Sequence, residues 1–220
     1  PKPSSAASDV YKRQFIMSAI LSSLRNTIIS GLILSLLLLL TFYNWGTVDS
    51  SSLTDQAFYS FVFRWLHVLA AIMWIGLLWY FNFVQIPNMP NIPDDQKPAI
   101  SKVIAPAALW WFRWAAMATV FTGLVLGYLN GYLESAMTLG FRGDGLPQHI
   151  AIGVGMWLGI VMWFNVWFVI WPNQKKALGI VKVEDSVKAA SARTAMLFSR
   201  TNTLLSIPML FSMVAAQNLF

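Results

Sequence analysis

Five stretches of this 220-residue chain, roughly 27–45, 58–86, 108–131, 149–172 and 196–217, are nearly unbroken in apolar residues. A helix crossing the hydrocarbon core of a bilayer needs about 20 such residues. Only helices and closed barrels satisfy their backbone groups in that medium. A soluble domain of this size has no use for five such runs, and 11% charged residues is too few to coat one. The pattern predicts an all-α, polytopic membrane helix bundle of about five transmembrane helices over residues 17–220. Residues 1–16 differ in composition and are read as a non-native or disordered tail, with Met17 as the expected start.

Two of the runs are copies of one another. His67-Val68-Leu69-Ala70 opens the matched segment within the second run and His149-Ile150-Ala151-Ile152 that of the fourth, and these are the only two histidines. Met73-Trp74-x-Gly76 and Phe81-Asn82 recur 83 residues later as Met156-Trp157-x-Gly159 and Phe164-Asn165. Helices 2–3 and 4–5 are therefore expected to form a pseudo-repeat, with the leucine-rich first run as an added member. The register is imperfect, since His67 lies seven residues before its tryptophan and His149 eight.

The chain has no cysteine, which excludes disulfides, iron–sulfur clusters, thiolate metal sites and covalently attached haem. No glycine-rich phosphate loop, Gly-x-Ser-x-Gly or His-Glu-x-x-His is present. Basic residues outnumber acidic ones, 15 to nine, but they cluster by loop, which signals topology rather than nucleic-acid binding. With the amino terminus inside and the tail left out, the inner side carries Arg25, Lys97, Lys102, Arg113, Lys175, Lys176, Lys182, Lys188, Arg193 and Arg200. The outer side carries only Arg64 and Arg142. The carboxyl terminus then faces outward. Pro87, Pro90, Pro93, Pro98 and Pro106 are expected to break the chain into a loop over 87–107.

Polar groups inside spans are costly and mark function by default. His67, Ala71, Trp74, Leu78 and Gln85 fall on one helix face, and 18 residues from His67 to Gln85 cover roughly 27 Å. His67 and His149, at similar depth, are candidate axial ligands of a b-type haem iron, with Arg64 as a propionate partner and Trp74 against the macrocycle. Packing and an interfacial, snorkelling arginine are the alternatives. A second group gathers at the inner ends: Asn82, Gln85, Arg113, Asn165 and Arg200, joined by Asn202. A guanidinium fork with amides suits a planar anion; helix–helix contacts and positive-inside anchoring are the alternative. Trp45, Trp110, Trp111 and Trp171 fit an interfacial belt, and Trp74 and Trp157 are expected to pack inside the bundle. Gly153, Gly155 and Gly159 permit close helix approach.

Several of these motifs, in order, resemble the membrane domain of bacterial membrane-bound urate oxidases (urate hydroxylases). They are Arg64-Trp65-Leu66-His67, Trp74-Ile75-Gly76-Leu77, Tyr80-Phe81-Asn82-Phe83-Val84-Gln85 and Trp111-Phe112-Arg113-Trp114. Met162-Trp163-Phe164-Asn165, Ile170-Trp171-Pro172-Asn173-Gln174 and Ser199-Arg200 with Asn202, Ser206 and Pro208 complete the set. The similarity covers about residues 60–215. It implies a multi-pass protein of the bacterial inner membrane, active in purine catabolism, that oxidises urate to 5-hydroxyisourate. Full-length members pass electrons to a carboxyl-terminal cytochrome c domain; this sequence has no Cys-x-x-Cys-His, so a separate periplasmic cytochrome c, a different acceptor or another task is expected. The His67 helix is also similar to that of small haem-b membrane proteins of the protoporphyrinogen oxidase type. Lipid, a purine and a second copy of the chain complete the expected partners. The alternative function is a non-catalytic electron-transfer or anchoring subunit, or a small-anion transporter.

Overall fold

The computed structural model describes residues 18–46 and 52–220, so the tail expected over 1–16 lies outside the described residues. Two compact units divide the chain, Pro1–Phe58 and Tyr59–Phe220. Every regular element among the described residues is helical.

The first unit holds α1, Leu24–Asn44. Its amino end is set by Ser23, whose hydroxyl accepts the Asn26 amide as an N-cap. Thr41 and Ser35 return their hydroxyls to carbonyls four residues back, which hides them from lipid. Beyond Trp45 the left-handed Gly46 (φ +70°) ends the helix.

The second unit holds α2 (Gln56–Trp79), α3 (Ala105–Leu129), the short α4 (Leu133–Met137), α5 (Pro147–Phe164), α6 (Trp171–Ala177) and α7 (Asp185–Asn218). Trp74, Leu78, Phe81, Leu109, Phe112, Met162, Val166, Ile170 and Met209 form one buried core drawn from α2, α3, α5 and α7. Contacts fix the directions. His67 meets Thr122 while Phe81 meets Phe112, so α2 and α3 are antiparallel. Ser212 bonds the Ala151 carbonyl while Asn202 bonds the Met162 carbonyl, so α5 and α7 are antiparallel too. Asn82 bonds Ser199 and the Trp79 indole bonds Ser206, so α7 is antiparallel to α2 as well, and the duplicated helices α2 and α5 run the same way, with both histidines toward one end and both Phe-Asn pairs toward the other.

Neither duplicated helix stops at its Phe-Asn pair. A π turn over Tyr80–Gln85 extends α2, so that Gln56–Asn91 is one apolar rod. A second π turn over Asn165–Ile170 joins α5 to α6 within Pro147–Ala177. A third, Ile100–Ile104, leads into α3 within Lys97–Leu129. Each ends two residues before a proline: Pro87, Pro172 and Pro106. A proline ring clashes with the carbonyl four residues back and offers no N–H; a widened turn moves that carbonyl aside, as happens in membrane helices. The expected break over 87–107 is therefore corrected. Only 92–96 lies outside helical turns.

Four helices are long and apolar enough to cross a membrane: Leu24–Asn44, Gln56–Asn91, Lys97–Leu129 and Pro147–Ala177. The protein is thus a polytopic helical membrane protein. The expected fifth span is not among the four. With 34 residues, α7 is about 51 Å long, but its hydropathy is diluted by Ser191, Ser199, Asn202, Ser206 and Ser212. All five are buried. Ser199 takes a hydrogen bond from Asn82, Ser206 from the Trp79 indole, and Asn202 from Asn165. Lipid tails give no hydrophobic force between helices, so such bonds, about 1 kcal/mol each, weigh heavily here. The polar residues of α7 are its packing face.

Gly153 serves the close approach expected of it. A Cβ there would strike the Ala136 carbonyl of α4. At Gly155 a Cβ would press on Met213 of α7, at 3.1 Å, whereas Gly159 faces open space.

Candidate functional site

At the histidine end, α2 lays His67 against α3. Its Nδ1 lies 3.1 Å from the Thr122 hydroxyl, and Gly123 leaves room for the ring, since a Cβ there would sit 3.0 Å from the imidazole. The Thr122 hydroxyl donates its one proton to a backbone carbonyl, Ala118 at 2.7 Å. It must therefore accept from His67, which places the proton on Nδ1 and leaves a lone pair on Nε2. A histidine with one nitrogen anchored and the other bare has the donor set of a metal ligand.

His149 sits in different surroundings. Its Nδ1 lies 2.7 Å from the Asp144 carboxylate, and its ring stacks on Tyr132, 5.3 Å between centroids. Tyr132 lies three residues past the end of α3 and Asp144 belongs to the turn before α5. That turn is built by positive-φ residues Leu139, Gly140, Gly143 and Gly145 and tied by Thr138 to Arg142. The hydrogen bond from His149 holds the Asp144 carboxyl below the ordinary carboxylate range, with help from the Leu146 amide. Burial pushes the Tyr132 phenol up, and the Arg64 charge partly offsets this. Arg64 thus lies close enough to act on Tyr132, but its side chain is exposed. The two imidazoles are held by different elements, His67 by α3 and His149 by its own preceding turn. Their Nδ1 atoms are both committed, and a shared ligand would have to be held through Nε2 of each.

Trp74 is 1% exposed, with its indole N–H unpaired. Its repeat partner Trp157 is 41% exposed and reaches out to the Met137 carbonyl. The expectation that both pack inside the bundle is corrected for Trp157. The offset between the two copies gives α5 a different face toward its neighbours, because α4 closes on Gly153 on that side.

At the other end α7 meets Asn82 through Ser199 and Asn165 through Asn202, while Arg113 stacks on Trp171. Asn82, Arg113 and Asn165 are buried and Gln85 half-buried. Asn82 donates to the Leu78 carbonyl and to Ser199. A carbonyl can only accept, so the amide orientation is fixed and the Asn82 Oδ1 is an acceptor without a donor. Asn165 donates to Asn202, which donates to the Met162 carbonyl. Arg113 is 8% exposed. Its Nη1 has no hydrogen-bond partner, and neither ion pair among the described residues involves it. Only the Trp171 ring supports it, 3.4 Å from the guanidinium carbon to the centroid. The oxygens Gln85 Oε1 and Gln174 Oε1 and the indole N–H groups of Trp163 and Trp167 are also buried without partners. A buried cation without counter-charge is costly unless a ligand completes it. Arg200 does not join this set: it is exposed, one residue from buried Ser199 and on another face of α7.

Sequence reasoning missed Trp171, read there as an interfacial residue. Its signal was its place beside Pro172, which sets the π turn that aims it. Thr122 and Asp144 were also missed. Asp144 stands five residues before His149 and was visible as a local partner; Thr122 comes from another helix and was not.

Residues 147–218 match the family described as "Urate oxidase N-terminal". This third of the chain holds α5, α6 and α7, with Asn165, Trp171 and Asn202. No curated protein and no solved structure matches.

Proposed function

We propose that the chain is the urate-binding membrane module of an oxidoreductase related to urate oxidase, seated in a bacterial inner membrane with a cytoplasmic amino terminus and a periplasmic carboxyl terminus. The carrying observation is the buried, uncompensated guanidinium of Arg113. The match over 147–218 supports urate as its ligand. Urate is a planar anion with N–H groups. Its charge would meet Arg113, and its N–H groups would meet the unpaired oxygens of Asn82 and Gln85. Asn165, through Asn202, holds α5 and α7 in register beside the site.

His67 would hold a b-type haem iron through its free Nε2, with His149 as the second candidate ligand and Arg64 and Trp74 beside it. Such a group supplies one-electron transfer toward a periplasmic cytochrome. The residues of the chain itself bind and orient: Arg113 takes the charge, Thr122 fixes the His67 tautomer, and the apolar core around Trp74 excludes water.

Purified protein decides both parts. Urate binding and consumption are expected to vanish in Arg113→Ala and to stay within about twofold of wild type in Arg200→Ala, whose side chain is exposed. Undiminished binding in Arg113→Ala would move the site elsewhere. A reduced-minus-oxidised spectrum of protein expressed with haem supplied is expected to show a b-type band that His67→Ala loses; absence of the band from wild type removes the haem.

One observation favours a second function, binding and release of a small anion without chemistry. The unpaired atoms are buried, so a ligand reaches them only as the helices part. Uptake of urate by proteoliposomes with no oxidation product would select transport.

A further inference from the structure

The guanidinium carbon of Arg113 lies 3.4 Å over the Trp171 ring centroid; a guanidinium standing upright at that distance would drive a nitrogen into the ring, so the group lies flat and the contact constrains the direction of its N–H groups. We infer that Trp171 is a positioning residue that holds the Arg113 fork edge-on to the buried site; this rests on the proposal that an anion binds there. All five guanidinium N–H bonds lie in its plane. An indole on the face therefore stabilises the cation while leaving the whole hydrogen-bonding edge free. An aspartate or glutamate in the same place would consume that edge and cancel the charge.

Arg113 has no other support. Its Nη1 is buried and unpaired, and the ion pairs among the described residues do not reach it. An arginine near a lysine-rich helix end, left alone, extends its head to water. Trp171 prevents this from a fixed position. It is the first residue after the Asn165–Ile170 π turn and precedes Pro172, so its direction is set by a backbone that cannot relax to a regular helix. Lys175, one turn on, lies 5.7 Å from the same ring and holds the indole from its own helix. The unpaired N–H of Trp167 stands on the same turn.

The test uses the whole chain in detergent, with Trp171→Phe, Trp171→Leu and, should leucine leave the protein unfolded, Trp171→Met. Arginine modification by phenylglyoxal, read at the Arg113 peptide by mass spectrometry, reports the guanidinium's confinement without any ligand. Dissociation constants for urate, an anion, and hypoxanthine, a neutral purine, report what that confinement does. Trp171→Phe keeps an aromatic face and is expected to match wild type within about threefold in both readouts. Trp171→Leu or Trp171→Met is expected to speed modification about tenfold and weaken urate about tenfold, with hypoxanthine changed less than about twofold. Unchanged modification in the apolar variants overturns the inference, as does an equal loss of both purines, which is the mark of general loosening. Faster modification in a protein whose wild type binds no urate leaves Trp171 as the holder of Arg113 and overturns urate as the ligand.

Discussion

Single atoms decide most of what this protein can do. The Thr122 hydroxyl, by spending its proton on a carbonyl, determines which nitrogen of His67 is bare. Asn202, with no exposed surface, joins α5 and α7 through two hydrogen bonds. At the histidine end the Asp144 carboxylate clamps His149 and the Leu146 amide together. Its folded pKa lies below the ordinary value. The clamp's contribution is therefore fully present above the unfolded carboxyl pKa, about 3.9, and is lost as pH falls through the depressed folded value. Asp144→Asn is expected to lower the melting temperature modestly near neutral pH, and the gap to wild type is expected to close as pH drops through that range. A gap that is constant with pH would show that the carboxylate plays no part in it.

At the scale of elements, the π turns carry the design. Each adds one residue to a turn and so rotates the downstream side chains by about 100° relative to a regular helix. This lets Asn165 face α7 while Trp171, on the same rod, reaches Arg113 of α3. Deleting Phe168, which is 59% exposed and lies inside the Asn165–Ile170 π turn, removes the extra residue without emptying the core. The helix is expected to persist by circular dichroism, while urate affinity falls about tenfold or more as Trp171 turns away. Retained affinity would mean that the π turn serves Pro172 alone.

The molecule as a whole lines one helix, α7, with buried polar residues. Hydropathy marks four spans, yet α7 is antiparallel to two of them and bonded to both along its length. With its serines and asparagines turned inward, α7 presents Leu204, Ile207, Phe211 and Val214 outward, as a helix solvated by lipid does. Lys182 precedes it and Asn218 is its last residue. The chain has no cysteine, so single cysteines introduced at these two positions can be labelled without background. A membrane-impermeant maleimide is expected to reach them from opposite faces of sealed vesicles. Labelling of both from one face would place α7 along the membrane surface and reverse the proposed side of the carboxyl terminus.

Much of this was legible in the sequence. The apolar runs dictated a helical membrane protein because a bilayer leaves the backbone no other choice at that length. The 83-residue repeat carried over into two parallel helices with a π turn at the Phe-Asn region of each. Asn82, Arg113 and Asn165 stood out because polar groups in apolar runs must be turned inward to survive. Facing, however, is settled between helices. Trp74 and Trp157 occupy equivalent places in the repeat, but one is sealed in the core and the other lies on α4, since α4 approaches only the second copy. Arg200 and Ser199 are neighbours in sequence and lie on different faces of one helix. The prolines looked like breaks because a sequence shows the lost N–H and not the widened turn that absorbs it. Composition fixed the solvent and the class of fold; which side chains meet, and so where a guanidinium is left buried with an unpaired nitrogen, was decided only when the helices packed.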